Sequence, residues 1–275
     1  MAHPKRTTPD GDVDLPEVTL IAATSVAVPQ TLRAMRNSMA GIRYADAVLF
    51  SDVEPGTAEL AGIRRVAIAP IESRDAYSRF MLRDLASHIR TDFVLCVQWD
   101  GYVLDAGNWT DAFLKYDYVG APWVHLGPSM IVGNGGFSLR SRRLLQACAS
   151  AGLDTGIAED LAICRDGRDR LTNDFGIAFA PPDLALSFAY ERTPRSSEAF
   201  GFHGVFNMPE LPDMNSGSFV RFYEDLPRDL VGRIENRDLL AHALRKGLVA
   251  RPEAKVEGAV HIADPEPRRA FARLA

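Results

Sequence analysis

The chain has 275 residues, of which 47% are hydrophobic and 24% charged, enough for one large globular domain or two small ones. That composition excludes a largely disordered chain, a collagen-like repeat and a disulfide scaffold. Lys+Arg 31 against Asp+Glu 36 leave a net charge of −5, without the basic balance of a general nucleic-acid binder, so no nucleic-acid partner is expected.

In chain order, residues 1–16 are polar and are expected to form a disordered leader; they lack the apolar core of a secretory signal. EVTLIAATS (Glu17–Ser25) is a short apolar run ending in small polar residues, as in a buried parallel strand with a functional loop at its carboxyl end. Pro29–Gly41 opens on Pro, closes on Gly and carries Leu32, Met35 and Met39 on one helical face. Asp46–Val53 and Arg64–Pro70 read as two further strands. Ser73 caps a helix running to about His88, with Tyr77, Met81, Leu85 and Ile89 recurring every fourth residue. Thr91–Gly101 is the most strongly apolar strand. Strands alternating with helices in this way imply a mostly parallel α/β sheet, with ligands outside the carboxyl ends of its strands.

The second half is less regular. Asp117–Trp123 reads as a strand running into a loop, Gly133–Ser141 as a glycine-rich loop entering a strand, and Ser141–Gly152 as a capped helix. Ala158–Arg165 begins a short helix with two acids in its first turn, and Ile177–Glu191 reads as strand, turn, strand. Phe200–Gly204 is a short aromatic segment around one histidine, and Glu235–Gly247 is a helix with Leu239, Leu240, Ala243 and Leu244 on one side. Cys96, Cys148 and Cys164 are too scattered for a disulfide framework and read as reduced, and no apolar run reaches the roughly 20 residues that span a bilayer, so a cytoplasmic protein without a transmembrane segment is expected.

Four places could carry chemistry, each with a plainer alternative. Asp100 closes a buried strand in Gln98-Trp99-Asp100-Gly101-Tyr102, either as a ligand for a hard cation or as half of an Asp-Gly turn. Gly133-Asn134-Gly135-Gly136 permits close backbone approach to a ligand, or is a tight turn; it has neither P-loop nor GxGxxG spacing. Glu159-Asp160 offers a general base, or two acids complementing a helix start. His203, flanked by glycine and aromatics, is a metal ligand or a packed core histidine; His125 lies in the loop after Trp123 and could face the same site.

Taken together with AYSRFMLRDL upstream, the ordered series QWDGYV, YDYVGAPW, VGNGGFSLRS, ED and FGFHG resembles the DUF5672 family over roughly Val18 to Met208. Members of that family resemble nucleotide-sugar glycosyltransferases of the GT-A fold. The resemblance implies an α/β, Rossmann-like catalytic domain over residues 17–210; the helical pattern and charged residues of 211–275 suggest a C-terminal helical extension packed on it, or an oligomer contact. It implies a sugar transfer from a nucleotide-diphosphate donor, with a UDP-sugar favoured, to a hydroxyl acceptor such as a glycan or polysaccharide. It implies an Mn²⁺ or Mg²⁺ ion held by Asp100 and His203, although only one acid of the family's Asp-x-Asp pattern is present in Trp99-Asp100-Gly101. Asp160, with Glu159, would be the base of an inverting reaction. From topology, Thr24 and Ser25 after the first strand and Asp52 after the second would contact the donor, along with Arg79, Trp99 and Asp100; Tyr102, Trp123, Asn134, Gly135 and Gly136 would contact the acceptor or sugar, with Phe137 as a further wall. The competing reading is a non-catalytic carbohydrate- or nucleotide-binding module; a glycoside hydrolase, which needs two carboxylates at a defined separation, is a third.

Overall fold

The computed structural model describes residues 7–124, 132–228 and 230–250. By contacts the chain divides after Gly204 into two compact units. The first is a mixed α/β fold whose larger sheet contains β1 (Val13–Ala23), β2 (Ile42–Phe50), β3 (Arg64–Val66), β4 (Phe93–Cys96), β6 (Tyr118–Gly120) and β7 (Ser138–Ser141). Their order is β3-β2-β1-β4-β7-β6, and β7 runs against both of its neighbours while the others are parallel. A smaller sheet pairs β5 (Gly101–Val103) with β9 (Gly201–His203) antiparallel, and β9 with β8 (Ala189–Tyr190) parallel.

Burial explains the central strands. Val18, Leu20, Ile21 and Ala22 of β1 are all buried, so successive residues are covered on both faces and the run is continuously apolar. After β1 comes α1 (Val28–Met39), where a Pro near the first turn presets the helical φ and Val28, Leu32 and Met35 are buried. Ser73 caps α3 (Arg74–Arg79) by accepting from Ala76 N–H. That helix widens into a π turn at Phe80–Asp84 and tightens at Leu85–His88, keeping Met81, Leu85 and Ile89 packed with Phe50 and Val94. Ser141 likewise caps α4 (Arg142–Ala151), and Gly152, at φ +66°, closes it.

Two expectations are corrected. Residues 13–16 are not leader: Val13 and Leu15 are buried and already pair with Ile42 and Tyr44 of β2. Residues 7–12 form a turn held by Thr8, while 1–6 lie outside the described residues. The local composition is polar, but the alternation Val13, Leu15 is a strand period once β2 lies beside it. The second correction is Ile177–Glu191. Phe179 makes only an isolated bridge to Tyr118, and PDLALSF is the helix α7 (Pro182–Phe188), which begins on a proline pair and buries Ala185 and Phe188 one turn apart. The first unit also contains the short helices α2 (Thr57–Leu60), α5 (Glu159–Leu161) and α6 (Arg168–Phe175).

The second unit contains a 3₁₀ turn at Val205–Glu210, α8 (Ser216–Glu224) and α9 (Arg233–Arg245). Leu239 and Ala243 are buried on α9, whereas Leu244 is exposed. Of the expected 211–275 extension, Asp229 and residues 251–275 lie outside the described residues, as do residues 125–131 with His125.

Phe188 is fully buried, its ring 5.1 Å from Phe113, 5.0 Å from Phe137 and 5.8 Å from Phe200. Truncating it leaves a void under the smaller sheet's neighbours, so Phe188→Ala is expected to cost about 3–5 kcal/mol in urea unfolding. A loss below about 1 kcal/mol would mean that the aromatic cluster closes over the gap.

Candidate functional site

The turn after β4 starts the site. Gln98 and Gly101 exchange both backbone hydrogen bonds, so the Asp-Gly turn anticipated as the plain alternative does form, and it projects Asp100 from the carboxyl end of a central strand. The turn leads straight into β5, whose Gly101 lies opposite His203 of β9. Gly204 N–H donates to Asp100 O, which extends that pairing. Antiparallel pairing of two three-residue strands thus brings together side chains a hundred positions apart. His203 Nε2 lies 3.7 Å from Asp100 Oδ1 and 3.3 Å from Gln98 Oε1. Gln98 in turn donates from Nε2 to the Tyr77 hydroxyl at 3.1 Å. On the other side of the ring, His203 Nδ1 is 3.3 Å from Glu191 Oε1 and 3.1 Å from Asn134 Nδ2.

The glycine-rich loop runs directly past this histidine. Asn134 adopts φ +65°, its carbonyl accepts from the buried Tyr118 hydroxyl, and its side-chain Oδ1 accepts from Gly136 N–H. A Cβ on Gly136 would come within 2.0 Å of His203 Nε2, and one on Gly135 within 2.1 Å of Glu159 Oε1. Only glycine at both positions lets the backbone pass between the histidine and the acids of α5. Gly135 N–H donates to Asp160 Oδ2 at 3.0 Å, while Leu161 N–H donates to Asp160 Oδ1 at 2.8 Å. Glu159 faces the core, 5% exposed, and accepts from the fully buried Arg140 at 2.9 Å.

Charge follows from this packing. Burial opposes the imidazolium of His203, but the carboxylates of Asp100, Glu191 and Asp160 outweigh it and its pKa is pushed up to about 9. Burial raises the Asp160 carboxyl above its ordinary range, opposed by the Gly135 and Leu161 N–H groups and by Arg140. Burial disfavours the charge of Arg140, but Glu159 together with Cys96 and Tyr118 holds it above its usual range. Among the described residues, no group of three or more His, Cys, Asp or Glu side chains is placed to hold a metal ion. Asp100 Oδ1 lies 3.7 Å from His203 Nε2, and Glu191 Oε1 lies 3.3 Å from the ring's other nitrogen.

The remaining candidates fall in different places. Thr24 and Ser25 follow β1 and Asp52 follows β2, at the same sheet edge as Asp100. Ser25 Oγ accepts from Ile71 N–H at 2.6 Å, and Asp52 is exposed with its carbonyl bound by Arg65. Arg79 ends α3 with an exposed side chain, and Trp99 is half-buried. Trp123 is buried with Gly133 packed on its indole, Tyr102 is buried edge-on against Phe202, and Phe137 is fully buried. These three rings support the loop and the smaller sheet. Two site residues were missed by sequence reasoning, Arg140 and Glu191. A charged residue inside the apolar strand FSLRS was the available signal for Arg140, because a buried charge needs a partner.

The chain therefore presents a mostly parallel α/β domain with a histidine–carboxylate cluster at the carboxyl end of its central strand. Residues 61–203 match the family described as "Protein of unknown function (DUF5672)", and the chain belongs to that family. No curated protein matches it. Solved structures to which it is similar include the mannosyltransferase PcManGT from Pyrobaculum calidifontis in complex with GDP-Man and Mn²⁺, at 12% identity and TM-score 0.40, covering 66% of this chain and 58% of that one. A second is the apo-form glycosyltransferase GlyE of Streptococcus pneumoniae TIGR4, at 12% identity and TM-score 0.39, covering 68% and 54%. A third is a glycosyltransferase involved in glycosylation of the major capsid of PBCV-1, at 10% identity and TM-score 0.40, covering 76% and 99%. The chain spans less than two thirds of the first two structures.

Because the folded-state pKa of His203, about 9, lies above its ordinary 6.5, its charge stabilises the fold fully below pH 6.5 and that contribution is lost as pH rises towards 9. The unfolding free energy is expected to decline across pH 6.5–9, and His203→Gln to flatten that slope. An unchanged slope in the variant would contradict the placement of the charge.

Proposed function

We propose that this protein transfers a sugar from a nucleotide-diphosphate donor to a hydroxyl acceptor with inversion, using Asp160 as the base. The observation that carries this reading is that one glycine-rich loop meets both groups: Gly135 N–H binds Asp160, and the Asn134 side chain reaches His203, which lies 3.7 Å from Asp100. The ordered motifs, whose pattern resembles nucleotide-sugar glycosyltransferases, support it. The donor's nucleoside would lie at the ends of β1 and β2, against Thr24, Ser25 and Asp52, with Arg79 and Trp99 as outlying contacts and a UDP-sugar as the favoured donor. Asn134, Gly135 and Gly136 would border the transferred sugar, and a glycan or polysaccharide hydroxyl would be the acceptor. Cytoplasmic action suits three free, buried cysteines. Among the described residues no helix is long and apolar enough to cross a membrane.

In the transfer, the acceptor oxygen attacks the anomeric carbon, its proton passes to Asp160, and the diphosphate departs from the opposite face. Two backbone N–H groups fix the Asp160 carboxylate, and its raised pKa suits it to take a proton near neutral pH. Asp100 and His203 would be the residues to hold a divalent cation, Mn²⁺ or Mg²⁺, with the imidazolium giving up its Nε2 proton on binding. Such an ion, when bound, supplies positive charge for the departing diphosphate. Glu159, buried against Arg140, is assigned to support and not to proton transfer.

One observation favours a second reading, a non-catalytic nucleotide- or carbohydrate-binding module: Asp100 is the single acid of the Asp-x-Asp pattern. Calorimetric titration with UDP-, GDP- and dTDP-sugars in the presence of Mn²⁺, followed by assay of nucleotide release, separates the two. Transfer predicts binding of one donor, turnover, and a loss of about 10²-fold or more in rate for Asp160→Asn with donor affinity retained. Absence of heat with every donor, or full turnover by Asp160→Asn, would contradict it; binding without any turnover would favour the module.

A further inference from the structure

Arg140 is fully buried in β7, and a buried ion pair is by itself weak evidence for stability, since apolar replacements of similar volume are often neutral or better. Among the described residues, Arg140 Nη1 and Glu159 Oε2 have no hydrogen-bond partner, which adds to the cost of burying the pair. Its geometry indicates what it does. From Nη2 the guanidinium donates to Glu159 Oε1 at 2.9 Å and to Gly135 O at 3.2 Å. From Nε it donates to Ser138 Oγ at 2.9 Å, and Ser138 in turn donates to the same Gly135 carbonyl at 3.1 Å. The Tyr118 ring lies against the guanidinium, 5.4 Å from centroid to Cζ.

One side chain thus grips both the glycine loop, at Gly135, and α5, at Glu159. The contact between Gly135 N–H and Asp160 joins the same two segments. Glycine has two unrestricted dihedrals, so Gly135 is the joint of this loop where the backbone most needs external restraint. Tyr118 pins the peptide before it through Asn134 O, and Arg140 with Ser138 pins the peptide after it.

We propose that Arg140 is a positioning residue for Asp160, acting through the Gly135 backbone, with Glu159 as its counter-ion. The inference rests on the reading of Asp160 as the base for its catalytic meaning, but its physical content concerns the free protein.

The test uses the full-length chain without donor, in two variants. Arg140→Lys keeps the charge but cannot span both partners, and Arg140→Met with Glu159→Leu removes the pair without leaving a lone buried charge. Amide hydrogen exchange and amide proton shifts are recorded at Gly135, with Leu95 and Cys96 of β4 as references. In both variants Gly135 is expected to exchange about tenfold faster or more, and its resonance to move towards its position in Asp160→Asn, while the β4 amides keep their protection. Unchanged protection and shift at Gly135 in either variant would overturn the proposal. So would equal loss of protection in β4, because the pair would then hold the whole fold. Full turnover by Asp160→Asn would remove the base assignment and leave the Gly135 result standing, so the two failures are distinguishable.

Discussion

Two missing side chains set the geometry on which the rest depends. At Gly135 and Gly136 the backbone runs between Glu159 on one side and His203 on the other, in space that a Cβ would fill to within 2.1 and 2.0 Å of those groups. Any larger residue at these places must displace the Glu159 side chain or the His203 ring. Because both are glycine, one peptide N–H reaches Asp160 while the neighbouring asparagine reaches the histidine ring. A loop that would otherwise be a plain turn becomes the element that joins the acid to the histidine–carboxylate pair.

The surroundings are organised to hold charge where water is scarce. Asp100, Glu191 and His203 sit together with little exposure, and burying them is tolerable only because each faces a partner of opposite sign or a polar amide. Arg140 and Glu159 repeat that solution one layer deeper. Around them the structure is apolar: Phe113, Phe137, Phe188 and Phe200 form one aromatic group, and Tyr102 and Tyr190 pack on Phe202. A stiff apolar frame with a few paired charges at the carboxyl ends of parallel strands is what an α/β ligand site requires.

The sequence made some of this legible and hid the rest for identifiable reasons. β1 and β4 stood out because strands covered on both faces are continuously apolar, and Ser73 and Ser141 were readable as caps because capping is local. The strand at Val13–Leu15 was hidden by polar neighbours, and α7 by an apolar run whose length fits either a strand or a helix. At the site, Asp100, Asp160 and His203 stood out through a resemblance of ordered motifs, since their meeting depends on β5–β9 pairing that no local pattern encodes. Trp123 was expected among the sugar contacts, but Gly133 packs on its indole and the ring is buried, a tertiary contact that no local pattern encodes. Arg140 and Glu191 act only through tertiary partners, so spacing alone could not assign them.

The most direct test of a sugar-transfer site at this cluster is a crystal structure of the protein soaked with a nucleoside diphosphate and Mn²⁺, with anomalous scattering used to locate the metal. A manganese peak is expected in contact with Asp100 and His203, with the diphosphate beside it and the nucleoside towards Thr24, Ser25 and Asp52. A fully occupied nucleotide with its metal elsewhere on the molecule, leaving Asp100, His203 and Asp160 without a ligand, would contradict it.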